Sequence, residues 1–103
     1  MLVVGSGGVL VELIGDAVTL LFPVTADDTR AAILSLKASK LLLGFRRRPR
    51  GDIDAAVTAV LAVARFAEAN AATLVELDIN PLIVRPEGKG AVAVDALVRL
   101  ADV

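Results

Sequence analysis

No cysteine and no histidine occur among the 103 residues. The first absence excludes disulfides and thiol chemistry. The second removes the commonest general base and metal ligand. There is no Trp or Tyr and there are only three Phe, although 56% of the chain is hydrophobic, so a core must be built from small aliphatic side chains. Apolar content that high in a short chain suggests that part of its surface packs against something else. No apolar run reaches the ~20 residues that a membrane span needs. The longest candidate, AAVTAVLAVA at 55–64, stops between Asp54 and Arg65. The N-terminus carries no basic region of the kind that opens a signal peptide, so a cytoplasmic protein is expected, without a membrane partner. The length suits one domain, residues 1–103.

What is present is a set of strand and helix patterns. Residues 8–22 read as a β-hairpin: GVLVELI and AVTLLF flank Gly15-Asp16, a tight-turn pair. Thr25, followed by Asp27 and Asp28, marks a helix start. That helix is expected to run to about Ala38, with Ala32, Ile33 and Leu36 inward. Residues 39–51 read as a loop broken by Gly44, Pro49 and Gly51. Asp52 caps a second helix reaching about Ala69, with Ile53, Val57, Val60, Leu61, Ala64 and Ala67 at helical spacing. A third strand covers 73–79 and continues irregularly past Pro81 to Val84. PEGKG at 86–90 is a turn, and 91–99 is the fourth strand. The order β-β-α-α-β-β predicts an α+β fold: an antiparallel or mixed sheet with two helices on one face.

The most telling stretch is ELDINPL, 76–82. Glu76, Asp78 and Asn80 alternate with Leu77 and Ile79, so a strand here has one polar and one apolar face. Pro81 has no N–H for the ladder. AVAVDAL, 91–97, brings a further carboxylate, Asp95. Adjacent strands raising oxygen ligands from one face suit a hard divalent cation such as Mg²⁺. Alternating polar residues on a solvated sheet face are also ordinary, and spacing alone leaves both readings open. RRRPR at 46–50 lacks interleaved aromatics and extent, so no nucleic-acid footprint is read from it.

Four segments occur together in order: GSGGVLVELIGDAV (5–18), LLLGFR (41–46), ELDINPLIV (76–84) and AVAVDALVRL (91–100). This set resembles the C-terminal part of the ATP-grasp domain of ADP-forming acyl-CoA synthetases, relatives of succinyl-CoA ligase β subunits. The resemblance implies that Asn80 and Asp95 bind the Mg²⁺ that holds the phosphates of ATP, with Asp78 in support. It points to Gly7 and Gly8 as a loop approaching the phosphates and to Arg46 as a phosphate contact. Read alone, the glycines suit a strand-entry turn and the arginine run a solvated loop. Arg47 stands where the family has Gly. Glu12 matches an acid of the family's V-E segment.

The resemblance further implies a half-site. An ATP-grasp site lies between two subdomains, and the family's CoA-binding region and phosphorylated His have no counterpart in this chain. The expected partners are therefore the remaining ATP-grasp and CoA-binding domains or subunits, with ATP, CoA and a small carboxylate as ligands of the whole. On that reading the isolated chain is inactive. The alternative is a regulatory or interaction domain that kept the fold without the chemistry.

Overall fold

The computed structural model describes residues 2–5, 17–37, 39–44, 49–79 and 81–101. Strand β1, Leu2–Gly5, pairs antiparallel with β2, Ala17–Leu20, in the register Leu2↔Leu20 to Gly5↔Ala17. The second half of the expected 8–22 hairpin is thus a strand, but the partner described for it is Leu2–Gly5. The expected first half, and Glu12 within it, lies outside the described residues.

Helix α1, Ala26–Ser35, starts where Thr25 caps it. The Asp28 N–H donates to Thr25 Oγ1 at 3.1 Å, and Asp28 Oδ2 accepts from the Thr25 N–H at 3.4 Å. This reciprocal box satisfies two donors that the first turn would otherwise leave bare. Thr29, Ala32 and Ile33 form the buried stripe. The helix ends at Ser35, earlier than the pattern suggests, because Leu36 is extended and its N–H turns back to the Ile33 carbonyl. A one-turn helix, α2, Ser39–Leu42, follows where a loop is expected. Ser39 explains it: its buried hydroxyl donates to the Leu34 carbonyl, and its own carbonyl accepts the Leu43 N–H.

Helix α3, Ile53–Ala69, is capped by Asp52 as expected. Ile53, Ala56, Val57 and Ala64 are its buried residues, one face of a 3.6-residue period. Asn70 closes it, its backbone and side-chain N–H groups both reaching the Phe66 carbonyl. The Asn70 carbonyl accepts the Leu74 N–H, which leads directly into β3.

The C-terminal third is an antiparallel ribbon in two pieces. Strand β3, Leu74–Ile79, pairs with β6, Ala96–Leu100; β4, Leu82–Val84, pairs with β5, Ala91–Ala93. The expected fourth strand, 91–99, is therefore interrupted at Val94 and Asp95, and the stretch after Pro81 is a regular strand. Helix α1 packs on β1 and β2, and α3 packs on α1, β4 and β5. Ile33, Ile53, Ala56 and Val57 form the core between them, with Val4, Leu42, Val60, Leu61 and Val84 against it. The architecture is α+β, with antiparallel ladders.

Candidate metal centre

The break in the ribbon sets the site. Above it, Asp78 faces Leu97 and Ile79 faces Ala96; below it, Leu82 faces Ala93. The described pairs on either side of the interruption share one register, and two positions on each strand separate them. Pro81 cannot donate to the ladder, but its carbonyl accepts the Val94 N–H at 3.0 Å, and this bond holds the strands together across the gap. Asp95 follows immediately, off the ladder and exposed.

Asp78 is exposed near the end of β3, on the same side as Glu76 two residues earlier, while Leu77 and Ile79 are half-buried. Polar and apolar residues alternate on this strand as its sequence predicts. Glu76 is engaged by Arg99 across the ladder, Oε2 to Nε 4.0 Å. Exposed pairs of this kind contribute little. Among the described residues, neither Asp78 nor Asp95 has a cationic partner. No three acidic side chains converge among the described residues either. Asn80, the third expected ligand, lies outside them, as do Gly7, Gly8 and Arg46.

The donor set fits a hard cation in kind. Cys and His are absent from the whole chain, and the acids at the break are carboxylates. A shell of few protein oxygens is also what Mg²⁺ uses when waters and phosphates complete its octahedron. Beside this site a cleft of about 860 Å³ opens between β1, the helices and β3–β5. Val4, Leu42, Val60, Leu77 and Leu82 line it, and among its described lining residues Asp78 is the ionisable one.

The lower ribbon is clamped at its far end by Asp52. One carboxylate oxygen accepts the Ala55 N–H at 3.1 Å as a helix cap; the other accepts the Gly90 N–H at 2.9 Å. The Asp52 N–H in turn donates to the Arg85 carbonyl at 2.7 Å, and the Glu87 N–H to the Arg50 carbonyl at 2.8 Å. The N–H bonds from Ala55 and Gly90 hold the Asp52 carboxyl below its usual pKa. Gly90 and Gly88 sit at φ +86° and +82°, which lets the PEGKG turn close here. The sequence signals Asp52 as a cap; nothing local to either residue signals the contact with Gly90.

Residues 1–100 match the family model of the ATP-grasp domain. The chain is 36% identical over 96 residues to the beta subunit of acetate–CoA ligase [ADP-forming] II from Pyrococcus furiosus, covering 93% of this chain and 41% of that subunit. It is 37% identical over 98 residues to acetate–CoA ligase [ADP-forming] II of Archaeoglobus fulgidus, covering 95% of this chain and 14% of that protein. Among solved structures, PH1788 from Pyrococcus horikoshii matches with a TM-score of 0.87 at 36% identity, over 95% of this chain and 41% of that one. Acetyl-coenzyme A synthetase 1 of Ca. Korarchaeum cryptofilum, solved with coenzyme A and Mg-AMPPCP, matches with a TM-score of 0.81 at 36% identity, over 95% and 45%. The chain thus spans about two fifths of the Pyrococcus subunit and a smaller part of the Archaeoglobus protein. With its capped helices, antiparallel ladders and broken ribbon, it belongs to the ATP-grasp domain family and matches the domain of ADP-forming acetate–CoA ligases.

Proposed function

We propose that this chain is the metal-holding part of a Mg²⁺–nucleotide site in an ADP-forming acyl-CoA synthetase. Asn80 and Asp95 are the ligands and Asp78 assists, directly or through water. The observation that supports the reading is the common register of the described pairs on either side of the ribbon break, with Asp78 near the end of β3 and Asp95 at the break itself. Two further observations support it: Asp78 and Asp95 are exposed without cationic partners among the described residues, and a homologous enzyme has been solved with Mg-AMPPCP and coenzyme A.

Mg²⁺ bound there would neutralise charge on the nucleotide phosphates during phosphoryl transfer. The chain's own part is to present oxygens at a fixed spacing. Gly7, Gly8 and Arg46 are the proposed phosphate neighbours. Adenine contacts, the CoA site and the carboxylate substrate belong to the remaining ATP-grasp and CoA-binding domains or subunits. Phosphoryl transfer therefore needs those parts, and this chain by itself forms no acyl-CoA.

The test uses Mn²⁺ as a paramagnetic stand-in for Mg²⁺ on the ¹⁵N-labelled chain. Amide signals at 78–80 and 94–96 should broaden first, and Asp95→Asn should abolish the effect. Broadening centred elsewhere, or unchanged in Asp95→Asn, sinks the assignment.

A further inference from the structure

Charge in this chain is sorted by place. The formal net charge is −1, yet from Lys37 to Arg50 there are six cations and no acid. The fold gathers more beside them. Gly51 pairs with Pro86, so Arg50 lies along the stretch that carries Arg85 and Lys89. The Glu87 N–H donates to the Arg50 carbonyl at 2.8 Å, and the Lys89 N–H donates to the Pro86 carbonyl at 2.8 Å. These bonds fix Arg50, Arg85 and Lys89 around one turn, and all three are exposed. A Cβ built on Gly88 or Gly90 would meet no atom within 4 Å, so among the described residues nothing covers the turn.

Cations elsewhere are matched with acids: Arg30 with Asp54, Arg65 with Glu68 and Arg99 with Glu76. Among the described residues, Arg50, Arg85 and Lys89 have no such partner. Asp52, which reaches the turn, is engaged by the Ala55 and Gly90 N–H groups. The acids at the ribbon break are too far to compensate. From Gly90 to Asp95 there is roughly 16 Å of extended chain, about twice the screening length at physiological salt.

We propose that this basic turn is a docking surface for an acidic polypeptide, a protein segment that presents Asp and Glu side chains to Arg50, Arg85 and Lys89. The sign of the charge calls for an anion, and guanidinium forks match carboxylates in a bidentate fashion. None of the three lines either cavity, so the surface is open rather than a pocket for a small anion. Glu87 lies among the cations and is exposed. A polypeptide can set a cation or an amide of its own against it, whereas the continuous charge of a nucleic acid would meet it with like sign. Charges of this kind govern partner choice and the rate of encounter.

Fluorescence anisotropy of a labelled oligoglutamate peptide on the 103-residue chain is the test. Binding is expected at low salt and should weaken as NaCl rises to about 0.5 M. Arg85→Gln combined with Lys89→Gln should weaken it roughly tenfold or more, with circular dichroism showing an unchanged fold. Should the double variant not fold, Lys89→Gln on the open turn takes its place, with a smaller loss expected. Arg99→Gln, at a cation already paired with Glu76, should change binding far less. Absence of binding, or equal binding by the variant, overturns the proposal. Tighter binding of duplex DNA at the same salt overturns it in favour of nucleic acid, and capture by phosphatidylserine vesicles in place of the peptide does so in favour of a membrane surface. Displacement of the peptide by ATP at equal concentration assigns the cations to nucleotide phosphates instead. Self-association that the variant abolishes points to a second copy of this chain. No Mg²⁺ is present, so this result and the metal assignment stand or fall separately.

Discussion

Asp52 and Gly90 are joined by a hydrogen bond across 38 residues of sequence, the Gly90 N–H donating to Asp52 Oδ2 at 2.9 Å. One carboxylate thereby caps α3 and pins the turn between β4 and β5. Asp52→Ala should lower the melting temperature by several degrees and raise hydrogen exchange at Gly90 and Arg85. Asp52→Asn keeps one acceptor oxygen and should fall between the two proteins. The pH dependence has a definite sign. The folded carboxyl titrates below its unfolded value of about 4, so its contribution is complete above that value and is lost as pH falls through the folded one. Thermal melts of wild type and Asp52→Asn should therefore converge on acidification. A gap that widens below pH ~4 contradicts the clamp.

A second prediction concerns Gly51, which pairs with Pro86 beside that clamp. A Cβ there would sit 2.7 Å from Leu42 Cδ2 and 3.3 Å from Val84 Cγ1. Leu42 can swing aside for one methyl group, so Gly51→Ala should be tolerated with a small loss. Gly51→Val must displace Val84 as well, and overpacking of this kind costs about 1–3 kcal/mol. Urea denaturation compares the two; equal midpoints would show that the interface has more room than its geometry indicates.

Ile33 and Leu77 both border the cleft but differ in burial. Ile33 is 4% exposed at the centre of the packed cluster, whereas Leu77 is half-buried along the cleft. Ile33→Ala should cost about 2–5 kcal/mol. Leu77→Ala should cost distinctly less in the isolated chain, since part of the side chain already meets solvent. Chemical denaturation that ranks them the other way would show that the cleft is closed in solution.

In a complete synthetase, Asp95→Asn preserves shape and removes one charge from the proposed Mg²⁺ shell. Losing an interaction that stabilises charge built up in the transition state typically costs about 10²-fold or more in kcat. Nucleotide affinity should fall less, because the adenine contacts are proposed to lie outside this chain, and folding should be unaffected. Wild-type rates of ATP-dependent acyl-CoA formation in folded, metal-saturated Asp95→Asn would remove Asp95 from the site.

The legible parts of this fold are those with local causes. Thr25 and Asp52 mark helix starts because a cap needs only a side-chain acceptor and the next turn's N–H groups, and both are present in sequence. The PEGKG turn and the apolar stripe of α3 are local in the same way. What escaped depends on distant partners. Leu2–Gly5 is too short to stand out as a strand and becomes one by pairing with Ala17–Leu20. The turn at Ser39–Leu42 needs the Leu34 carbonyl, and the Asp52–Gly90 bond needs the tertiary fold. At the site, the side alternation of Asp78 was readable from Leu77 and Ile79. The ladder break at Asp95 was not, because Val92, Ala93, Val94 and Asp95 alternate like any strand.

That break also restricts how the chain can change length. Ile79↔Ala96 and Leu82↔Ala93 keep one register across it, so each strand contributes the same number of residues to the gap. Side chains on a strand switch face with every residue. Insertion of one residue on either strand within the gap would turn one piece of the ribbon over relative to the other, or force a bulge. Insertions and deletions there are tolerable only as matched pairs, one on each strand. A lineage that lengthens one side alone must give up either the polar face of Asp78 or the packing of Val84 on the core.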